Sequence, residues 1–214
     1  MHPVAYSAAY EGEDRNRLTT FFRFFVALPW FFVLMFYGIA VFFTVIAAWF
    51  ALVFTGRYPE GLYRFNSGFL RAATRVTGFF NLLTDELPPF NGDEHPEYPI
   101  RLLIEPAKEE YSRAKAGFRI FLLIPVHILN YVMQLILQVV AFIAWVIIVF
   151  TGKMPIGLYR PLRIAAAYGA KATAYSMLLT EDFPPFWQDE EEEAPRFDRS
   201  GPGLPAEPTT ALGL

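Results

Sequence analysis

The chain has 214 residues and a formal net charge of -3; hydrophobic residues make up 54%, aromatics 18% and charged residues only 18%. Ordinary globular domains carry about 25% charged residues, so this much apolar surface asks for a solvent other than water, and the weak acidity offers no general basic field for nucleic acid. The absence of cysteine excludes disulfides, thiolate metal sites and cysteine nucleophiles.

Residues 1–13 form an N-terminal segment without the basic start, short apolar core and small-residue cleavage site of a signal peptide. The first apolar run, beginning near Phe21, is too long for a signal core, so it is expected to remain as a membrane segment.

From Arg17 to Phe90 the chain repeats itself at a shift of 96, aligning without a gap to Arg113–Phe186 with 23 of 74 positions identical. Arg23 matches Arg119, Pro29 matches Pro125, Trp49 matches Trp145, "FTGRYPEGLYR" returns as "FTGKMPIGLYR", and "LLTDELPPF" returns as "LLTEDFPPF". Chance similarity between apolar segments does not hold Pro, Gly, Trp and Arg in register, so each copy is expected to be one structural unit. The units run 14–90 and 111–187, joined by a polar linker, 91–110, with three prolines. An acidic and then Pro/Gly-rich tail, 188–214, is expected to be disordered.

Within each unit, Phe24–Gly56 and Ile120–Gly152 are runs of 33 residues without Asp, Glu, Lys or Arg. About 20 apolar residues span a hydrocarbon core of roughly 30 Å, whereas a straight helix of this length reaches roughly 50 Å. Either a tilted helix broken near Pro29 and Pro125 or a hairpin entering and leaving by one face absorbs the excess. Basic residues on both sides of each run favour the hairpin, with Tyr37-Gly38 as the turn of the first copy and Asn130–Gln134 as that of the second. Unpaired backbone at such a turn in lipid argues against it.

In the FTG motif, Gly suits the left-handed end of a helix and Pro three residues on suits the start of the next. That next helix, Leu62–Leu83, has helical apolar spacing, with Arg64, Arg71 and Arg75 on the other face, the pattern of a helix lying in a membrane interface. The second copy repeats it through Arg160, Arg163 and Lys171, and "PPF" stops each helix. The expected fold is therefore an all-α integral membrane protein of two tandem repeats, each a long apolar helix or helical hairpin followed by an interfacial amphipathic helix.

An apolar run carrying "LP", then "AWF", "FTGRYPEGLYRF", "GFLRAATRV" and "LLTDELPPF", resembles the bacterial family catalogued as domain of unknown function 4389. The resemblance implies a bacterial integral membrane protein, placed here in the cytoplasmic (inner) membrane with charged flanks and tail cytoplasmic. It carries no activity with it. The second copy departs from the pattern, with Met154 and Ile156 for Tyr58 and Glu60 and Ala167 for Arg71, so an anion site should be better formed in the first.

The basic set Arg57, Arg64, Arg71, Arg75, Lys153, Arg160, Arg163 and Lys171 is the candidate contact for lipid headgroups, anionic ones included; snorkelling anchorage is the simpler alternative. His127, Asn130, Gln134 and Gln138 form a polar stripe inside the second run, for which helix–helix contact is the simpler reading and a transport path the sharper one. His2, His95 and His127 are scattered, no nucleophile and base are placed together, and no metal, cofactor or catalytic set is expected. The expected function is non-enzymatic: a scaffold, an accessory subunit of a membrane complex or a lipid-organising protein, with lipids and a membrane-protein partner. The alternative is a transporter or channel component.

Overall fold

The computed structural model of the chain describes residues 2–13 and 15–185, so the tail expected over 188–214 lies outside the described residues. The order is β1 (Val4–Ala8), α1 (Arg17–Phe21), α2 (Arg23–Thr55), α3 (Glu60–Phe80), β2 (Ile100–Ile104), α4 (Arg113–Gly117), α5 (Arg119–Thr151) and α6 (Ile156–Ser176). The protein is mostly helical, but not all-α. The strands come from the stretches expected to be N-terminal segment and linker, and each is one short apolar run after a proline, Pro3 or Pro99. Alone, such a five-residue run cannot be told from loop.

The strands pair antiparallel, Val4 opposite Ile104, Tyr6 opposite Leu102 and Ala8 opposite Ile100. Val4 and Ile100 are themselves related by the shift of 96, so the repeat begins before Arg17. Tyr6 and Leu102, also 96 apart, face each other at the centre of the ladder. The two units are therefore related by a local twofold axis through the strand pair.

Each apolar run is one uninterrupted helix of 33 residues, with Pro29 and Pro125 inside it. This corrects the hairpin: Tyr37-Gly38 and Asn130–Gln134 are mid-helix. Both prolines are the seventh residue of their helix, past its first four free amides, so each leaves one carbonyl, that of Phe25 or Phe121, without its helical donor while the helix continues. The helices end at Gly56 and Gly152, both at φ 72°, and α3 and α6 begin after Pro59 and Pro155 in extended conformation. The corner read from the sequence is what forms.

The tertiary helical hairpin is instead α2 with α3. Tyr37 Oη donates to the Phe65 carbonyl (3.0 Å), Thr44 Oγ1 to Asn66 Oδ1 (2.6 Å), Phe31 meets Phe80 edge to face, and Trp30 stacks on Phe90 at 4.6 Å. Thus α3 runs back along α2, and α6 likewise packs on α5. α3 also packs on α6 and β2, and β1 on α6. Eleven of the 21 residues of α3 are buried, so it is a central element and not the surface-lying interfacial helix that its periodicity suggested.

Helix α3 ends before "PPF". Leu82 and Leu178 adopt φ 67° and 64°, letting the Leu83 and Leu179 amides bond back to the Gly78 and Ala174 carbonyls (2.9 and 3.0 Å). A left-handed leucine costs roughly 1–2 kcal/mol, offset here by burying the side chain.

Candidate membrane-binding face

Helix α2 touches the rest of the molecule along a narrow stripe whose buried members are Arg23, Ala27, Val41, Ala48 and Leu52; the matching stripe of α5 is Arg119, Val126, Leu137, Ala144 and Ile148. Partly buried residues such as Tyr37, Trp49, Met133 and Trp145 flank these stripes, and most of the remaining surface of both helices points outward. Phe25, Phe36, Phe43 and Phe54 on α2 and Phe121, Phe142 and Phe150 on α5 are exposed, Phe54 and Phe150 by 72% and 77%. Each such side chain left in water forgoes about 1.5–3 kcal/mol. A helix satisfies its backbone internally, so these faces can enter hydrocarbon without polar cost. Both helices are long and apolar enough to cross a membrane.

The ends of this face are built by exchange between the units. Asn16 and Ser112 cap α1 and α4, accepting from the Thr19 and Lys115 amides. The preceding chain reaches the other unit's corner: the Arg15 amide donates to the Gly152 carbonyl (3.0 Å) and the Tyr111 amide to that of Gly56 (2.8 Å). Arg17 donates to the Thr151 carbonyl (3.0 Å) and Arg113 to that of Thr55 (3.4 Å), each placing a cation at the negative end of the other unit's long helix. Trp49 and Trp145 donate to the Ala116 and Thr20 carbonyls (2.9 and 3.0 Å). The repeated tyrosine of "GLYR" also crosses over, Tyr159 to the Ala8 carbonyl (2.7 Å) and Tyr63 to that of Glu105. The motif is the place where each unit receives the other.

The acids of "LLTDE" and "LLTED" close the same ends. Asp85 pairs with Arg15 (3.0 Å) and Arg23 and accepts the Asn16 amide, while Glu181 accepts the Ser112 amide (2.7 Å) and pairs with Lys108. Sequence reasoning missed this, although two repeated arginines opening uncharged runs signal a demand for nearby acceptors.

The eight candidate headgroup residues divide. Arg57, Arg64, Lys153 and Arg160 are exposed at or just after the corners, with Arg64 held by Glu60 and Lys153 by Glu13. Arg71 pairs with Glu94, and Arg75 donates to the Asn91 and Asp93 carbonyls, so both fasten the polar turn 91–97 onto α3. Burial holds the Arg75 guanidinium below its usual pKa, and neighbouring Arg71 adds to this. Arg163 is half-buried and Lys171 fully buried. At the first corner, burial pushes the Tyr58 phenol up to about 12 despite a hydrogen bond from Asn66.

The polar stripe is not one site. Asn130 and Gln134 lie against Gly169 of α6, as expected for helix–helix contact. Gln134 also lines a small cavity of about 90 Å³ between α3 and α6 with Thr74, Thr77 and Thr173. His127 is exposed and bonds the Leu123 carbonyl, while Gln138 lines a separate cleft of about 330 Å³ with Arg23, Phe24, Phe142 and Trp145. Among the described residues, no group of three or more His, Asp or Glu is placed to hold a metal ion.

The family described as Domain of unknown function (DUF4389) matches residues 17–91 and again 113–188. The chain belongs to this family. It carries two copies of the family's unit, and both strands lie ahead of the matched segments, so the unit extends further toward its N-terminus here. No curated protein and no solved structure matches the chain.

Proposed function

We propose that the protein is a non-enzymatic membrane protein of the scaffold or lipid-organising kind, resident in the bacterial cytoplasmic membrane. Hydrocarbon covers the outer faces of α2 and α5, and the body formed by α3, α6 and the strand pair is held against the membrane surface. The observation that carries this reading is the continuous apolar exposure of both 33-residue helices, with charges gathered at their ends. Arg57, Arg64, Lys153 and Arg160 are the exposed members of the basic set that would meet anionic headgroups, Arg64 and Lys153 by exchanging their surface pairs with Glu60 and Glu13, and a membrane partner or larger complex would dock on the polar body. The transporter alternative rests on the stripe of α5, and the separation of Asn130 and Gln134 from His127 and Gln138 gives it little support.

The test is fractionation of expressing cells followed by an alkaline wash. The protein should stay with the membranes and leave only with detergent; release by the wash would refute the proposal. Replacing Arg57, Arg64, Lys153 and Arg160 together by Gln should weaken binding to vesicles containing anionic lipid while sparing neutral ones. Unchanged binding would remove the headgroup role and leave those residues as anchors.

A further inference from the structure

We infer that α2 and α5 lie in the plane of the membrane, sunk into a single leaflet, and do not cross it. This rests on the membrane role proposed above and specifies its geometry. Three independent observations point the same way.

The first is length. A helix of 33 residues is roughly 50 Å long, against a hydrocarbon core of roughly 30 Å, and neither α2 nor α5 carries a charge beyond its first residue to mark a shorter spanning portion. Lying flat, no mismatch arises.

The second is the position of polar groups along α2. Gly68 of α3 has both Tyr37, near the middle of α2, and Gly92 packed against the same point of its backbone. The turn 91–97 therefore sits beside the midpoint of the long helix. Asn91, Asp93 and Glu94 are exposed there, and the Glu97 side chain is 74% exposed. In a spanning orientation these carboxylates would stand at the centre of the hydrocarbon, where a single acidic residue costs about 2.5–3.5 kcal/mol on insertion scales. With the helix in the plane, the same turn faces water.

The third is symmetry. Phe69, which touches Gly38 of α2, and Gly78, which abuts Ile100 of β2, are nine residues apart on α3 and so on opposite faces. The layers are therefore strand pair, then α3 with α6, then α2 with α5. The local twofold runs through them, making α2 and α5 antiparallel, with Thr151 beside Arg17 and Thr55 beside Arg113. Both ends carry the same cations, so a spanning pose would place equal positive charge on either side of the bilayer, against the usual asymmetry. With the twofold along the membrane normal, every cation falls on one side.

The chain has no native cysteine, which permits a direct test in the full-length protein. Single variants Lys115→Cys, Lys153→Cys and Glu97→Cys probe the two ends and the middle of the long helices. Each is assayed with an impermeant maleimide in right-side-out and inside-out vesicles, after its circular dichroism is shown to match the parent. In-plane helices require all three to label from the same face. Labelling of Lys115→Cys and Lys153→Cys from opposite faces overturns the inference, as does protection of Glu97→Cys from both. Fluorophores at Phe25→Cys, Phe36→Cys and Phe54→Cys, read with bromolipids of graded depth, should report one shallow depth; a deep Phe36 between two shallow ends would also overturn it. Loss of the protein in the alkaline wash is a different result, refuting the membrane role itself.

Discussion

The two copies share a backbone plan but settle the same buried cation differently. In the first, Arg23 lies over the Phe79 ring, donates to the Phe79 and Thr84 carbonyls and pairs with Asp85, which also holds buried Arg15. In the second, Arg119 lies 3.8 Å from the Tyr175 ring centroid and donates to Thr180, while Glu181 turns to Ser112 and Lys108 and Tyr111 replaces Arg15. One end is closed by an ionic cluster, the other by a ring. What both keep is the set of backbone caps that cross between units, so the exchange of ends is the invariant part of the design and the charge arrangement is the adjustable part.

That contrast can be broken most sharply at Asp85. Asp85→Ala leaves buried Arg23 without a carboxylate and Arg15 with Glu11 alone (3.2 Å), and should cost about 3–5 kcal/mol, whereas Glu181→Ala should cost about 1 kcal/mol, the scale of one lost cap. Denaturant unfolding of both in detergent measures the difference, and equal losses would contradict the distinction drawn here. The corners should behave alike: Gly56→Ala and Gly152→Ala each force a left-handed alanine, costing about 1–2 kcal/mol, with a new methyl 3.3 Å from Arg113 in one and 3.0 Å from Arg17 in the other. Thermal melts should show both destabilised, Gly152→Ala slightly more.

Smaller effects sharpen the comparison. Trp49→Phe and Trp145→Phe each lose one hydrogen bond between units, about 0.5–1.5 kcal/mol, and a double variant should be additive because the sites lie at opposite ends. Smallest is a pH effect at the turn 91–97. The Glu97 carboxyl is held below its usual pKa by its own backbone amide and by His95. Its contribution is therefore full above the ordinary glutamate range and lost as pH falls through the lowered value. Amide exchange in residues 91–97 should quicken there, with no matching change at the strand pair.

Much of the molecule was legible in the chain. The shift of 96, the left-handed Gly56 and Gly152 and the restart at Pro59 and Pro155 follow from local backbone preferences that neighbours do not override. The long runs were legible as membrane-grade segments, but not as single helices, because composition and flanking charge are the same for a helix and a hairpin. The arginines of α3 looked like one cationic face, yet Arg75 is buried under a linker whose return path no periodicity encodes. The strands escaped notice because their pairing partners are far apart in the chain, Tyr6 opposite Leu102 at the centre.

By itself, then, the sequence determined the unit: where each helix stops, which faces are apolar and that everything occurs twice. Only the tertiary structure decided how the two units meet. Both lead-ins offer the same backbone amide, from Arg15 or Tyr111, so the carbonyl of Gly56 is as well satisfied by one copy's lead-in as by the other's, and local chemistry cannot choose between them. Chain direction and the antiparallel strand pair make that choice: they exchange the ends, place α3 and α6 at the centre and leave α2 and α5 outside, with their phenylalanines exposed.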